Sequence, residues 1–329
     1  MNCFIGTAVR PAQLSEAAYA STLAREYNMA EPEDALKWEV VHPEPQSFDF
    51  SQADQIVDFA TRHGMKVRGH TPVWHRQNPK WLTEGKYSSG ELAEILEQHI
   101  KTVVGHYRGK IFAWDVVNEA FDELRPGTLR STIWRDQPGI GMTEDARGPH
   151  QSHSYIERCF RWAHEADPQA LLFYNEAEAE TVNPKSDAIY AMVRDFRLRG
   201  VPIDGVGFQM HIANLHADVA SISANIKRFT ALGVQVHVTE MDVALPVDPT
   251  GNPRPEDLQL QADIYRQIAG ACLSHPGCTA IQTWGFTDKY SWIGSHSKKT
   301  QGAALPFDRN YRAKPAYEAL RKTLELGRR

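Results

Sequence analysis

Ile111-Phe112-Ala113-Trp114-Asp115-Val116-Val117-Asn118-Glu119-Ala120 is an apolar run that ends on an amide and a carboxylate. A run so short and so rich in aromatic and β-branched residues reads as a buried strand. Burial accounts for the run and leaves Asn118-Glu119 unexplained. The two cannot both point inward from a regular strand, so the ladder is expected to break there. The same grammar recurs along the chain, with further apolar runs at Cys3–Val9, Tyr27–Ala30, Met65–His70, Ala170–Tyr174, Gly205–Met210, Val234–Thr239 and Thr279–Trp284. Amphipathic helical patterns lie between them, at Leu14–Glu26, Ser51–His63, Glu91–Tyr107, Ser154–Glu165, Lys185–Arg199, Val219–Leu232, Glu256–Ser274 and Ala316–Leu326. Ser51 and Gly64 read as start and stop signals of the second helix. Strand–helix alternation without a change of composition predicts an α/β fold, a (β/α)8 barrel over residues 1–329 as a single domain. The Pro- and Gly-rich stretches Arg125–Gln151 and Pro246–Pro255 then become long loops after the fourth and seventh strands.

Composition narrows the class. The 329 residues are 42% apolar and 23% charged, with a net charge of −5 and no basic stripe, which argues against a nucleic-acid partner. No apolar run reaches the length of a membrane span, so no membrane partner is expected. The chain opens on strand-like Cys3–Val9, so a secretion signal is expected to be absent or already removed. Cys272 and Cys278 bracket the turn signal Pro276-Gly277, which leaves two readings open, a bridge or two buried thiols. Cys3 and Cys159 read as core residues of a strand and a helix.

In a (β/α)8 barrel the active site lies at the C-terminal ends of the strands. That rule selects His70-Thr71-Pro72-Val73-Trp74-His75, Asn118-Glu119, Gln209-Met210-His211, Glu240-Met241-Asp242 and Trp284, with Glu33, Asp34, Lys37 and Trp38 after the second strand. Glutamates ending strands four and seven would face each other across the barrel mouth. Two carboxylates flanking a bond are what glycoside hydrolysis needs, one to protonate the departing oxygen and one to attack or activate water. Indole rings at the same rim suit the apolar faces of sugars. If Glu240 faces the site, strand parity turns Val236 and Val238 to the barrel interior, with Asp242 on their side, and sends His237 toward the helices as a packing residue. His70, His75 and His211 raise a metal-dependent barrel hydrolase as a rival, but no tight ligand cluster is visible, and the expectation is no metal.

Taken together, Glu33-Asp34-Ala35-Leu36-Lys37-Trp38, Arg68-Gly69-His70-Thr71-Pro72-Val73-Trp74-His75, Trp114 to Glu119, Gln209-Met210-His211, Thr239-Glu240-Met241-Asp242, Thr283-Trp284-Gly285 and Ser291-Trp292 resemble the family 10 glycoside hydrolases, the retaining endo-β-1,4-xylanases. The resemblance runs over nearly the whole chain. It implies a catalytic domain acting on xylan and xylo-oligosaccharides without a cofactor, as a monomer. It implies that Glu119 is the acid/base and Glu240 the nucleophile, with His211 bridging Glu240 and Asp242. Glu33, Asp34, Lys37, His70, Gln77, Asn118 and Gln209 would hydrogen-bond the sugars on the non-reducing side, between walls of Trp74, Trp284 and Trp292. While Glu240 is ionised, its charge is expected to keep Glu119 protonated, and formation of the glycosyl ester would release Glu119 to act as a base. A different β-linked glucan on the same machinery, or a silent sugar-binding barrel, is the alternative.

The resemblance also implies a disulfide between Cys272 and Cys278 and with it an extracellular origin, an intracellular one remaining open. The sequence departs from the family pattern at Asp34, where an Asn is usual, and at Asn175-Glu176-Ala177-Glu178, which replaces Asn-Asp-Tyr-Asn. Arg76 and Asn78 replace Ser and Leu around Gln77, and the loop Gln137–Ser152 is longer than usual.

Overall fold

Eight parallel strands close into a ring in the computed structural model, which describes residues 3–136, 138–140 and 154–327. They are β1 (Phe4–Val9), β2 (Met29–Pro32), β3 (Lys66–Val73), β4 (Ala113–Asn118), β5 (Leu171–Glu176), β6 (Gly205–Phe208), β7 (Gln235–Val243) and β8 (Cys278–Thr283). Each pairs with the next, and β8 pairs with both β7 and β1, which completes the barrel. The helices after successive strands are α1 (Ala17–Glu26), α2 (Ser51–Arg62), α3 (Ser89–His106), α4 (Ser154–Ala166), α5 (Pro184–Leu198), α6 (Val219–Thr230), α7 (Pro255–Leu273) and α8 (Pro315–Gly327). The (β/α)8 barrel expected from the alternation is therefore the fold. Of the stretch 137–152, residues 138–140 fall within the description and the rest lie outside it.

The helices lie on the barrel by the ordinary logic of an apolar stripe. On α3, Leu92, Leu96, Ile100 and Val103 recur at spacings of three and four and are buried. Burial of each contributes about 1.5–3 kcal/mol before the entropy of ordering is counted. Ser88 caps this helix and exchanges hydrogen bonds with Glu91. The start of α2 falls where the sequence reading puts it. Ser51 is the first helical residue, and the Asp49 carboxylate accepts its backbone N–H at 2.9 Å. Gly64, at φ 66°, does end that helix. The first helix is shorter than expected, because Pro11–Ser15 forms a separate 3-10 turn before Ala17. Cys272, near the end of α7, and Cys278, opening β8, form a disulfide with Cα atoms 5.2 Å apart. Cys159 is buried on α4, whereas Cys3 precedes β1 and is half-buried.

The barrel interior is polar where such barrels are usually filled by branched aliphatics. Arg68, on β3, is fully buried and grips Asp115, on β4, through Nε at 3.0 Å and through Nη2. Its Nη1 donates to His237 Nδ1 at 2.8 Å. Strands β3 and β7 are four steps apart in either direction around the ring, so this contact crosses the barrel axis. His237 therefore points inward, and the parity reading is corrected: Val236 and Val238 take the helix-facing side. The cause is an extra residue in β7. Val238 to Met241 spans three steps opposite the two steps from Ile281 to Thr283 on β8. Thr239 and Glu240 can then both face inward.

Candidate active site

The break expected at Asn118-Glu119 is present. β4 ends at Asn118, and Glu119 adopts φ 52°, a left-handed conformation that non-glycine residues seldom take. The turn brings both side chains into a cleft of about 620 Å³ at the C-terminal ends of the strands. Glu33, Asp34, Lys37, His70, Trp74, Gln209, His211, Glu240, Asp242, Trp284 and Trp292 line the same cleft. Gln77 does not line it, and its backbone carbonyl accepts from Glu39 N–H at 2.9 Å. A hollow of about 740 Å³ lined by Leu82, Tyr87, Leu92, Ile133 and Pro138 lies elsewhere, and among the described residues Asp136 is its one lining carboxylate.

The two glutamates are joined by a chain of amides. Gln209 Nε2 donates to Glu119 Oε1 at 3.0 Å and to Asn118 Oδ1 at 3.2 Å. Asn175 Nδ2 donates to the same Asn118 oxygen at 3.0 Å and to Glu240 Oε1 at 2.7 Å. With two donors on its oxygen, Asn118 must present its NH2 group toward Glu119 and the cleft. Asn175 is a site residue that sequence reasoning missed, because the expected strand stopped at Tyr174. Its side-chain oxygen accepts from Thr239 Oγ1 at 2.7 Å. A side chain at Gly207 would collide with this amide, its Cβ falling 2.1 Å from Asn175 Oδ1.

On the far oxygen of Glu240, His211 Nε2 lies at 3.3 Å, while His211 Nδ1 meets Asp242 Oδ2 at 3.0 Å. Trp292 Nε1 donates to that Asp242 oxygen at 2.8 Å. Burial pushes the His211 pKa down, but the two carboxylates outweigh it and hold the imidazole well above its usual range. His211 is thus held in its charged form against Glu240 and Asp242. It fixes the nucleophile candidate in one orientation.

Glu119 departs from the sequence expectation. Burial raises its pKa, but hydrogen bonds to Oε1 from Gln209 and to Oε2 from Trp74 Nε1, the latter at 2.9 Å, prevail and leave it lowered. His75, whose Nδ1 is 3.8 Å from Oε2, adds little, because burial and Arg130 push it down to about 4 and it is neutral at neutral pH. In the free site, then, the two donors outweigh burial at Glu119.

At the other end of the cleft, Lys37 Nζ lies 4.8 Å from the Trp74 ring centre and 5.6 Å from that of Trp284. It also meets Asp34 Oδ1 at 3.0 Å. Arg10, at the tip of β1, was not anticipated, although the strand-end rule would have found it. Its guanidinium reaches Glu33 at 2.6 Å and Asp34 at 3.2 Å. Burial raises the Asp34 pKa, yet Lys37 and Arg10 bring it below its ordinary value, so the carboxylate is kept ionised by two cations. Burial keeps the Glu33 carboxyl above its ordinary value despite Arg10.

The three rim histidines of the metal reading go to separate partners. Among the described residues, a different set, Glu31, His70 and Asp115, brings ligand atoms within 4.8 Å of one another. It does not fit a cation, because Arg68 already occupies both oxygens of Asp115 and holds its pKa down at about 2 against burial. The remaining contact orients His70, whose Nδ1 meets Asp115 Oδ2 at 3.1 Å, so that Nε2 is left for the cleft.

The sequence model of glycosyl hydrolase family 10 matches residues 1–323. Endo-1,4-beta-xylanase B of Thermotoga neapolitana is 44% identical over 307 residues, covering 93% of this chain and 83% of that protein. A beta-1,4-xylanase of Dictyoglomus thermophilum is 40% identical over 321 residues, covering 95% of this chain and 86% of that one. The crystal structure of xylanase 10B from Thermotoga petrophila in complex with xylobiose matches with a TM-score of 0.90 at 41% identity, over 99% of this chain and 94% of its own. On a family match and identities that extend over almost its full length, the chain belongs to glycosyl hydrolase family 10.

Proposed function

We propose that this protein is an endo-1,4-β-xylanase that cleaves internal linkages of xylan with retention, Glu240 acting as nucleophile and Glu119 as acid/base. The observation that carries the reading is the pair of glutamates facing one cleft, bridged by the amides of Asn118, Asn175 and Gln209 and walled by Trp74, Trp284 and Trp292. Sugar rings stack on the indoles, and Lys37, Asp34 and Glu33 take hydroxyls on the non-reducing side. An arriving chain displaces water and brings the glycosidic oxygen against Glu119. That added desolvation, and the loss of a donor where the oxygen intrudes, raise the Glu119 pKa from its low value in the free site. Glu240, held by Asn175 and His211⁺, attacks the anomeric carbon as Glu119 delivers its proton to the leaving oxygen. The ester removes the charge of Glu240, Glu119 becomes the stronger base of the pair, and it draws a proton from the water that hydrolyses the ester. The Cys272–Cys278 bridge supports an extracellular setting.

The test pairs Glu119→Ala and Glu240→Ala on xylan, carboxymethyl cellulose and mixed-linkage glucan. Loss of the nucleophile is expected to lower kcat on the order of 10⁵-fold, and loss of the acid/base about 10²–10⁴-fold. Azide added to Glu240→Ala should yield a glycosyl azide of inverted configuration. Full activity in either variant would end the mechanism, and glucan turnover equal to that of xylan would end the specificity.

A further inference from the structure

The three residues that follow Asn118 are held on both sides of their backbone. Glu119 N–H donates to the Asn175 carbonyl at 3.0 Å, Ala120 N–H to Tyr174 Oη at 3.0 Å, and Phe121 N–H to Glu176 Oε2 at 3.2 Å. All three acceptors come from the last turn of β5, consecutive residues 174–176. On the opposite side, Arg130 Nε donates to the Glu119 carbonyl and Nη2 to that of Phe121, each at 3.2 Å, while Arg130 N–H donates to the Ala120 carbonyl at 2.8 Å. A residue at φ 52° relaxes unless its surroundings hold it, and here every peptide group around it is engaged.

At the base of this arrangement is a carboxylate that the proposed chemistry does not use. Glu176 is fully buried. Its Oε2 accepts from Tyr174 Oη at 2.6 Å as well as from Phe121 N–H, and its Oε1 lies 3.1 Å from Lys185 Nζ. Lys185, itself buried on α5, also donates to the Ala177 carbonyl at 2.9 Å. The Tyr174 hydroxyl thus donates its hydrogen bond to Glu176 and leaves its oxygen free to accept from Ala120 N–H. A buried ion pair is a weak source of stability. Its placement directly under a catalytic turn asks for another reason.

We infer that Glu176, acting through Tyr174 and Phe121 and backed by Lys185, is a positioning residue that sets the carboxyl of Glu119 against the leaving oxygen. The inference rests on the acid/base role proposed for Glu119. The ionisable groups that act on Glu176 are Lys185 on α5, Tyr174 on β5 and Glu119 at the end of β4, with Tyr155 on α4 beyond them. Burial, opposed by Lys185 and Tyr174 and assisted by Glu119, pushes the Glu176 pKa up to about 7.

A positioning role for the acid differs from a structural role in its dependence on the leaving group. A dinitrophenolate departs without a proton, whereas a sugar alkoxide does not. The experiment measures kcat/KM, which reports the step that forms the ester, for Glu176→Gln on a 2,4-dinitrophenyl β-xylobioside and on xylotetraose. The expected result is a loss of about tenfold to 10²-fold on xylotetraose with less than about threefold on the aryl substrate, since a small misplacement of a catalytic group costs on this scale. Equal losses on both substrates, or no loss on either, would overturn it. Should Glu176→Gln fail to fold, Tyr174→Phe removes one hydroxyl from the same arrangement and carries the same comparison. Glu119→Ala on the two substrates separates the levels. If it lacks the leaving-group dependence, the role of Glu119 itself fails, whereas if it has it and neither Glu176→Gln nor Tyr174→Phe does, the positioning inference alone is lost.

Discussion

His211 is held between Glu240 and Asp242 as a cation, and that has a consequence for pH. Its folded-state pKa is raised above the unfolded value of about 6.5. The stability it contributes is therefore fully present below that value and is lost as pH rises through the higher folded one. His211→Asn should narrow the gap in thermal midpoint to the native protein as pH is raised from 6 to 10, and a gap that stays constant would refute the charged form. The deprotonated ring would keep its Nδ1 hydrogen toward Asp242 and turn a lone pair on Glu240, so the loss reaches the proposed nucleophile as well. Residues such as His211, Glu119 and Glu240 were legible because polar chemistry at a strand end has no packing explanation. Asn175 was not, since an Asn just past an apolar run reads as the start of a loop. Its role depends on Gly207 leaving room for it, which is a relation between two strands. Arg10 was overlooked because one arginine after a strand looks like surface charge; its meaning comes from Glu33 and Asp34, more than twenty positions away.

Elements were read well in kind and less well at their edges. The second strand lies two residues later than expected, at Met29–Pro32, because its four residues carry too little apolar pattern to fix a boundary. Ser51 marked the start of the second helix correctly, and the Asp49 carboxylate, two residues earlier, accepts its backbone N–H. Parity along β7 failed for a deeper reason: the extra residue between Val238 and Met241 has no compositional mark, and every side chain before it changes face. The bridge between α7 and β8 carries its own prediction. Closing so short a loop restricts the unfolded chain modestly, so replacing Cys272 and Cys278 by Ser should lower stability by about 2 kcal/mol, seen in chemical denaturation. Activity at room temperature should be unchanged, because neither sulfur lies near the cleft. A fall in kcat without loss of stability would count against that view.

For the molecule as a whole, the polar barrel interior is the feature that the alternation of strands and helices could not announce. Arg68 and Asp115 lie in strand runs that apolar patterning alone accounts for, and nothing in their spacing joins them to His237, well over a hundred residues later. Removing the cation alone should be costly. Arg68→Met leaves Asp115 buried without its partner, at an expected cost of about 3–5 kcal/mol in urea unfolding, together with lower kcat because His70 loses the carboxylate that orients it. Unfolding at native denaturant concentrations with full activity would show that the pair is dispensable. The same contact has a mechanical meaning. A guanidinium that joins strands at opposite ends of a diameter works as a spoke: β7 cannot move outward without drawing on β3. The width of the cleft floor, from His70 to Glu240 on β7, is then fixed from below, and substrates of different girth can be accommodated only by the loops above the rim.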